Sequence, residues 1–417
     1  MKKILKLAII IFIIIFSFIF SSFNLYVFAD DIENDEVIDV NSEITSIKKD
    51  VLKEPQINAR AFVVIDRNSN MVLYGKNENQ KRKMASTTKI MTATIIIENY
   101  NLKDIVTISK KAAGTGGSRL GLKSGDKISV LDLLYGLLLC SGNDAAVALS
   151  EYAAKDIPHF CELMNKKANE LGLKSTHFES PHGLDSDGHF TTAYELATLT
   201  NYALKNKTFK NIVGTKNYTI NINGYPKNLN NTNELLGVLD GVYGVKTGFT
   251  NGANRCLVTA CKRNNMDIIC VVLGCDTKKF RTTDSIKLIN FVNSNFEITN
   301  LQNIIDKDFE KWEKENKDKI LINKSSSKTL NLNYEHLSCS SIPIKRDLIN
   351  SIKVNIDHKN YFEAPLSKNT NIGTIEVFIG NKLYKKLNIY NENFIYKKTF
   401  LEYFKLLIKN FNNLSFI

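Results

Sequence analysis

The sequence predicts an α+β protein in which an antiparallel sheet with a helical subdomain is followed by a small all-β domain and a terminal amphipathic helix. Three observations lead to this prediction. Strand-like stretches near residue 61 and from residue 239 onward enclose a long helix-rich region, as in α+β domains. After residue 293 the composition changes to short alternating apolar stretches, which are typical of strands. Residues 400–417 carry large apolar side chains at helical spacing.

The composition is that of an ordinary globular protein. Of its 417 residues, 43% are hydrophobic and 24% are charged, and the length suits two folded units with accessory segments. The net charge of +12 comes from scattered lysines and favours anionic surfaces. We expect no nucleic-acid partner, because the sequence has no aromatic-basic module that recognises nucleic acid. The seven cysteines lie mostly in apolar runs, so we interpret them as small buried hydrophobes.

The N-terminus has the pattern of a secretory signal peptide over residues 1–29. Lysines precede an apolar run that ends at Val27-Phe28-Ala29, a small-residue cleavage pattern. An uncleaved anchor is the alternative, because the apolar region is nearly long enough to span a bilayer. In either case the rest of the chain is expected to be exported. Residues 30–54 are polar and acidic and predict a linker.

Residues 55–295 predict the larger domain. It opens with a β-hairpin, because two apolar stretches flank the turn-forming run Asp66-Arg67-Asn68-Ser69-Asn70. A helix begins near Ser86, and Thr191 or Thr192 can cap a later one. The other predicted elements are helices over 130–139, 145–154 and 284–292, and strands over 244–249, 256–261 and 266–273.

The remaining residues predict three accessory segments. A charged helix over 296–317 connects to the small β domain at 318–395, where Gly380-Asn381 marks a tight hairpin. Residues 399–417 predict an amphipathic helix whose apolar runs are too short to span a bilayer, so we expect it to lie in the membrane interface. The alternative is a helix that packs on its own domain.

Ser86 and Lys89 form the first candidate catalytic pair. Residues three apart lie on one face of a helix, so the lysine amine can reach the serine hydroxyl. A neutral amine can take the serine proton and activate the oxygen as a nucleophile. Lowering the pKa of a lysine from about 10.4 to near 7 costs about 4 kcal/mol, so a dry pocket or a second cation must be close.

Two further motifs follow along the chain, Ser141-Gly142-Asn143 and Lys246-Thr247-Gly248. Each arises easily by chance, but their joint order matches the motif set of penicillin-binding proteins and class A β-lactamases. With these residues, the chain resembles the low-molecular-mass penicillin-binding proteins, the serine-type D-Ala-D-Ala carboxypeptidases, over about residues 55–295. The resemblance extends to the hairpin and to residues 85–92, 133–137, 141–149, 181–184 and 240–248.

The resemblance implies a reaction on the peptidoglycan stem peptide. Ser86 attacks the carbonyl between the two terminal D-alanines, Lys89 acts as the base, and water releases the acyl-enzyme. Ser141 relays a proton to the leaving amine, and Asn143 holds the peptide amide. β-Lactam antibiotics are expected as covalent inhibitors. Members of the family dock on the outer face of the cytoplasmic membrane, so we expect this location, in the cell wall space.

The third motif is expected to bind the other end of the substrate. Lys246 offers the second cation and attracts the terminal carboxylate, with Thr247 and Gly248 beside it. By resemblance, the N–H groups of Ser86 and Phe249 form the oxyanion hole.

Arg281 is a further candidate near the carboxylate, with a surface role as the alternative. His189 lies near the cleft in relatives, but we expect a structural role for it. The histidines show no metal-ligand spacing, so we assign no metal and no cofactor. Phe249 stands where several relatives have histidine, and Tyr243 where many have aspartate, which leaves rate and substrate details open.

Two other functions compete with this interpretation. A β-lactamase would normally have aspartate in place of Gly142, a deacylating glutamate that the sequence does not show, and no trailing β domain. A non-catalytic wall-binding protein could keep the fold, but the presence of every motif side chain argues against it. The choice between carboxypeptidase and endopeptidase, the growth stage and the oligomeric state stay open.

Overall fold

The computed structural model describes residues 38–47, 53–327 and 330–414. The predicted signal peptide lies outside the described residues. Inside the predicted linker, the structure forms helix α1 (Val40–Ile47). Val40 is buried with the apolar residues of the larger domain, and Glu43 pairs with Lys279 at 2.7 Å. The linker prediction is therefore wrong for this stretch, because its spaced apolar residues bind it to the domain surface.

The larger domain combines strands and helices, as predicted. Its strands are β1 (Ala61–Asp66), β2 (Val72–Lys76), β3 (Ile105–Thr107), β4 (Lys127–Ser129), β5 (Asn217–Ile222), β6 (Tyr225–Asn230), β7 (Val242–Thr250), β8 (Asn254–Arg263) and β9 (Met266–Cys275). Its helices after α1 are α2 (Lys89–Asn99), α3 (Lys110–Ala113), α4 (Val130–Leu139), α5 (Asn143–Ala154), α6 (Ile157–Glu170), α7 (Ala193–Ala203), α8 (Lys207–Val213) and α9 (Lys278–Asn295).

The central sheet is antiparallel, with strand order β2-β1-β9-β8-β7. Side chains alternate between its two faces, and both faces are covered. Val63 and its partner Val271 pack with the helical subdomain, whereas Phe62 and its partner Val272 pack with α9 on the other face. This is why β1 and β9 consist almost entirely of buried residues. The sheet thus separates two cores, and β7 lies at its edge beside the helical subdomain.

The helical subdomain contains a second sheet, β3-β4-β5-β6, that the sequence analysis missed. Its strands are short, and β5 and β6 are mostly exposed and polar, so they lack the apolar alternation that predicts a strand. One signal was present. Asn223-Gly224 connects β5 to β6, and an Asn-Gly pair is a strong indicator of a two-residue hairpin.

The C-terminal part is also mainly β-structure. After β10 (Phe296–Asn300) come α10 (Leu301–Asn316), β11 (Leu321–Asn323), β12 (Leu332–Tyr334), β13 (Ser341–Lys345), β14 (Ile352–His358), β15 (Tyr361–Glu363), β16 (Asn371–Ile379), β17 (Lys382–Asn391) and α11 (Phe400–Leu414). Its main sheet has the order β12-β17-β16-β14 and encloses its own apolar core.

The connecting helix begins later than predicted. Residues 296–300 form β10, which pairs with β13 in antiparallel register. Asn300 then caps α10, because its side-chain oxygen accepts a hydrogen bond from the Asn303 N–H at 3.0 Å. The helix prediction is therefore wrong for the five residues of β10, where pairing with a distant strand outweighs the helical periodicity.

Helix α11 leaves its apolar side chains in solvent. Phe400 is 84% exposed and Phe411 is 71% exposed, and the apolar residues between them are exposed as well. Across the part of the chain that the structure describes, none of the helices combines the length and the apolar character that crossing a bilayer requires.

Candidate active site

Ser86 lies in a short 3₁₀ turn, Ala85–Thr88, that leads directly into α2. The turn is held by its own side chains. The Thr87 hydroxyl donates to the Met84 carbonyl at 2.6 Å, and the Thr88 hydroxyl donates to the Ala85 carbonyl at 2.8 Å. Ala85 adopts a positive φ of 49°, which is strained for a residue with a Cβ. The fold therefore stores strain next to the candidate nucleophile, which is 4% exposed.

Lys89 occupies a fully buried position one turn after Ser86. Its Nζ contacts Ser86 Oγ at 2.7 Å, Asn143 Oδ1 at 2.7 Å and the His182 carbonyl at 3.0 Å. The structure therefore brings the first and second motifs together at one amine. Burial disfavours the charged form of an amine, as the sequence analysis required of this site.

The second motif connects α4 to α5. Ser141 has a positive φ of 60° and is 7% exposed. The Asn143 N–H donates to the Ser118 carbonyl at 2.8 Å, and Asn143 Nδ2 donates to the Gly116 carbonyl at 3.0 Å. These contacts orient the amide so that its oxygen faces Lys89.

Asp144 is a site-organising residue that the sequence analysis did not single out. Its carboxylate accepts hydrogen bonds from the N–H groups of Leu120 and Gly121, both at 2.8 Å, and of Leu122 at 3.0 Å. This buried aspartate therefore fixes the glycine-rich loop beside the second motif. Its position directly after Ser141-Gly142-Asn143 was the available signal.

The third motif lies on β7, which packs against the Ser86 turn. A Cβ added to Gly248 would lie 3.1 Å from Ser86 N, so a side chain here would push the two backbones apart by a few tenths of an ångström. Lys246 shares the face of Gly248, because side chains alternate along a strand. Its strand partner Val258 belongs to the core on the helical side, and Lys246 itself is 1% exposed. The structure thus places this amine on the Ser86 side of the sheet.

Residues 231–236 join the third motif to the rest of the site. The Thr232 and Thr247 hydroxyls lie 2.8 Å apart, and the Thr232 N–H donates to the Leu139 carbonyl at 3.1 Å. Arg281 Nη2 donates to Glu234 Oε1 at 2.7 Å. Arg281 is 1% exposed, so the alternative of a surface role is wrong.

Electrostatics keep the Arg281–Glu234 pair ionised. Burial alone would raise the pKa of Glu234, but the charge of Arg281 and hydrogen bonds from Thr282 and Arg281 hold that pKa below its ordinary value. Glu234 and Arg281 therefore form a charged hydrogen bond that links residues 231–236 to α9.

The two residues that depart from the family pattern have definite partners. The Phe249 ring faces the Arg255 guanidinium, with 4.5 Å from the ring centroid to Cζ. The Tyr243 hydroxyl donates to Asp267 at 2.6 Å and accepts from Arg67 Nη1 at 2.8 Å. Burial, then the Asp267 contact, raises the pKa of Tyr243. Tyr243 thus joins the ion pair that Arg67, directly after β1, forms with Asp267 on β9 at 2.7 Å.

His189 stabilises the strained turn at Ala85 through a chain of hydrogen bonds. The Glu179 N–H donates to His189 Nδ1 at 3.0 Å, which assigns the ring hydrogen to Nε2. His189 Nε2 lies 2.7 Å from Thr88 Oγ1 and donates to it, while that hydroxyl donates onward to the Ala85 carbonyl. Burial lowers the pKa of His189 to about 4, so the ring is neutral at pH 7. The prediction of a structural role agrees with this chain of hydrogen bonds.

Acid should destabilise the protein through His189. The folded-state pKa of about 4 lies below the ordinary 6.5, so the unfolded chain binds the proton first, and the stability present above pH 6.5 is lost as the pH falls toward 4. The expected loss between pH 7 and pH 4 is about 3 kcal/mol from this group. Urea unfolding at both pH values should therefore show a weaker pH dependence in His189→Gln than in wild type.

His336→Gln serves as the matched control, because this histidine is exposed in the small β domain. It should keep the pH dependence of the wild type. Equal pH dependence in all three proteins would show that the buried imidazole does not titrate as described.

Gly183 allows the loop after Pro181-His182 to reach the nucleophile turn. Its φ is +92°, and an added Cβ would lie 2.0 Å from the Ala85 carbonyl oxygen. Gly183→Ala should cost about 3 kcal/mol or more, from the strained φ and from overpacking. The control is Gly172→Ala, where φ is +72° but nothing lies within 4 Å. It should cost only about 1 kcal/mol. Similar losses of the free energy of unfolding in the two variants would contradict the predicted clash.

The central sheet, the helical subdomain and the buried Ser86–Lys89 pair define a serine peptidase of the penicillin-binding-protein type. Comparisons with known proteins agree. A family model described as D-alanyl-D-alanine carboxypeptidase matches residues 48–277, and one described as the C-terminal domain of penicillin-binding protein 5 matches residues 312–397. The chain belongs to the D-alanyl-D-alanine carboxypeptidase family. The predictions of family, fold class and activity are thereby confirmed.

Individual relatives match different shares of the chain. The chain is 35% identical over 325 residues to D-alanyl-D-alanine carboxypeptidase DacF of Bacillus subtilis, covering 76% of this chain and 80% of the relative. It is 37% identical over 255 residues to DacD of Escherichia coli, covering 58% of this chain and 65% of the relative. Penicillin-binding protein 5 of Haemophilus influenzae has a similar structure, with a TM-score of 0.66, 29% identity, and coverage of 83% and 99%.

Another solved structure matches a smaller share of the chain. The Streptomyces K15 DD-transpeptidase has a similar structure, with a TM-score of 0.55 and 35% identity. It covers 57% of this chain and 98% of its own.

Proposed function

We propose that Ser86 is the nucleophile with which this carboxypeptidase removes the terminal D-alanine from peptidoglycan stem pentapeptides. The observation that carries this proposal is the 2.7 Å contact between Lys89 Nζ and Ser86 Oγ at a fully buried amine. A base within hydrogen-bond distance of a hydroxyl is the geometry that nucleophilic catalysis requires.

The partners of Lys89 indicate where the proton moves. A neutral amine has two N–H groups and one lone pair. The Asn143 amide oxygen and the His182 carbonyl can only accept, so they take the two N–H groups. The lone pair then faces Ser86, whose hydroxyl has a proton to give. After transfer, the ammonium can donate to each of these three oxygens.

In this proposal the substrate peptide binds in an extended conformation beside β7, the edge strand of the central sheet. In this proposal the backbone N–H groups of Ser86 and Phe249 stabilise the developing oxyanion; one such donor is typically worth about 3–4 kcal/mol. Lys246 and Thr247 bind the terminal carboxylate, and Gly248 keeps the strand close to Ser86. Arg281 acts indirectly in this proposal, through Glu234.

The leaving D-alanine needs a proton on its amine. We assign the relay to Ser141, which belongs to the same motif as Asn143, the residue whose Oδ1 contacts the amine of Lys89. Asn143 Nδ2 donates to the Gly116 carbonyl, and this contact fixes the orientation of the amide that would hold the peptide. Water then hydrolyses the acyl-enzyme. β-Lactams, whose amide resembles the scissile bond, would acylate the same oxygen and deacylate slowly.

D-Alanine release from a pentapeptide ending in D-Ala-D-Ala tests the proposed activity. We expect release of the terminal D-alanine from this peptide and no release of the terminal L-alanine from the same peptide ending in L-Ala-L-Ala. A labelled penicillin should form a long-lived covalent adduct. Rapid penicillin turnover without D-alanine release would favour the β-lactamase alternative, and absence of both reactions would favour a wall-binding protein.

We propose that α11 anchors the enzyme to an anionic membrane surface on the outer face of the cytoplasmic membrane, after export by residues 1–29. Its exposed apolar stripe includes Phe400, Phe404 and Phe411, and lysines flank it. The full chain should cosediment with vesicles that contain anionic lipid. Phe404→Glu should weaken this binding about tenfold or more without loss of D-alanine release. Equal cosedimentation of Phe404→Glu and wild type would contradict the anchor.

A further inference from the structure

Thr247, to which the proposed function assigns the substrate carboxylate, is paired with a second hydroxyl, that of Thr232. Thr232 Oγ1 and Thr247 Oγ1 lie 2.8 Å apart, within hydrogen-bond distance. Thr247 is 7% exposed on β7, whereas Thr232 is exposed at the rim of the cleft. Each hydroxyl has a single hydrogen, so one of the two donates to the other. The direction of this bond decides whether Thr247 can donate to a substrate.

Two arrangements of the pair are possible, and an anion selects one. If Thr247 donates to Thr232, its hydrogen is unavailable to the substrate. If Thr232 donates to Thr247, the hydrogen of Thr247 points away from the pair and can reach a carboxylate. An arriving anion favours the second arrangement, because a chain of donors that ends on a charged acceptor strengthens each bond in the chain.

We infer that Thr232 is a positioning residue that aims the Thr247 hydroxyl at the terminal carboxylate of the substrate. This inference rests on the proposed function, in which Thr247 binds that carboxylate. Thr232 need not touch the substrate in this role. The Thr232 hydroxyl donates its hydrogen to Thr247 Oγ1. Thr247 cannot then donate back to Thr232, so its own hydrogen is available to the anion.

The backbone around Thr232 is held firmly enough for such a role. Its N–H donates to the Leu139 carbonyl at 3.1 Å, directly before the second motif. On one side, Asn231 Nδ2 donates to the Thr215 carbonyl at 3.0 Å. On the other, Glu234 receives Arg281 at 2.7 Å. The segment is thus fixed at both ends, and the ion pair with α9 gives Arg281 an indirect part in carboxylate recognition.

The inference predicts an effect that depends on the charge of the substrate terminus. Thr232→Val keeps the shape of the side chain and removes the donor. It should raise KM for a pentapeptide ending in a free carboxylate by about fivefold, the range of a hydrogen bond between uncharged groups, because it removes the bond between Thr232 and Thr247 and leaves Thr247 itself in place. It should leave kcat nearly unchanged. The same peptide with a terminal carboxamide should show less than a twofold difference between variant and wild type. Thr232→Ser, which retains the hydroxyl, should restore the wild-type KM.

A coupling measurement separates positioning from simple loss of structure. In a Thr247→Val background, Thr232→Val should have no further effect on carboxylate binding, because the hydroxyl that it positions is absent. Thr219→Val is the matched control, since Thr219 is also exposed and also pairs with a side chain, Asn228 Oδ1, at 2.7 Å. It should change neither KM nor the melting temperature. If Thr232→Val lowers the melting temperature, Thr232→Ala provides the same comparison.

The possible results are distinguishable. Equal losses on the carboxylate and carboxamide peptides, or additive effects of the two threonine substitutions, would overturn the role of Thr232 and leave the proposed function intact. Absence of D-alanine release by the wild type would overturn the proposed function and this inference with it.

Discussion

Replacing Lys89 with methionine should slow acylation of Ser86 by about 10⁴-fold or more, because residues that act as a catalytic unit lose most of their rate when one is removed. Methionine keeps the length of the side chain but has no proton acceptor. The Ser86 proton would then have to leave without a base inside a buried site. Stopped-flow measurement of the second-order acylation rate constant with a fluorescent penicillin tests this prediction.

The control for Lys89 is a lysine of the same subdomain that does not reach the site. Lys110→Met changes an exposed residue of α3 and should acylate at the wild-type rate. Circular dichroism should show that both variants are folded. Acylation by folded Lys89→Met within tenfold of the wild-type rate would show that another group removes the proton.

Replacing Lys246 with methionine should lower kcat/KM for the pentapeptide by about 10²–10³-fold, in line with the loss of one partner of a buried charge pair. The reason is its position, since this amine shares the face of Gly248 that packs on the Ser86 turn. Lys246→Arg keeps the charge and should recover part of the loss. Steady-state kinetics of D-alanine release gives kcat/KM for both variants.

The matched control is Lys262→Met, an exposed lysine on the adjacent strand β8. It removes the same charge from the same sheet but outside the site, so kcat/KM should stay within twofold of wild type. If Lys246→Met behaves like Lys262→Met, then the carboxylate is bound elsewhere and the third motif has only a packing role.

The sequence predicted the parts of this protein that are encoded locally. The hairpin β1–β2, helices α4 and α5 and strands β7 to β9 follow from apolar patterns and turn residues, and the structure contains them all. The Ser86–Lys89 contact follows from their spacing, because the two residues lie three positions apart on one helical turn. The proximity of Lys246 to Ser86 could not be predicted from local patterns, because no local feature of the sequence brings β7 to the Ser86 turn. Only the order of the motifs in a known family indicated it.

The rest of the site could not be predicted because it depends on contacts between distant residues. Asp144 fixes a loop that lies more than twenty residues earlier in the chain. The path from His189 through Thr88 to Ala85 crosses from one loop to another and requires a particular tautomer. The linker and connecting-helix predictions failed for the same reason. Packing of Val40 and pairing of β10 with β13 are tertiary contacts that composition does not show.

The most direct test of the account is the location of the penicillin adduct. After labelling, tryptic digestion and mass spectrometry, the added mass should lie on the peptide 84–89 and fragment to Ser86. Ser86→Ala should carry no adduct at all. An adduct on any other residue, or an undiminished adduct in Ser86→Ala, would contradict the assignment of Ser86 and Lys89 as the reacting pair.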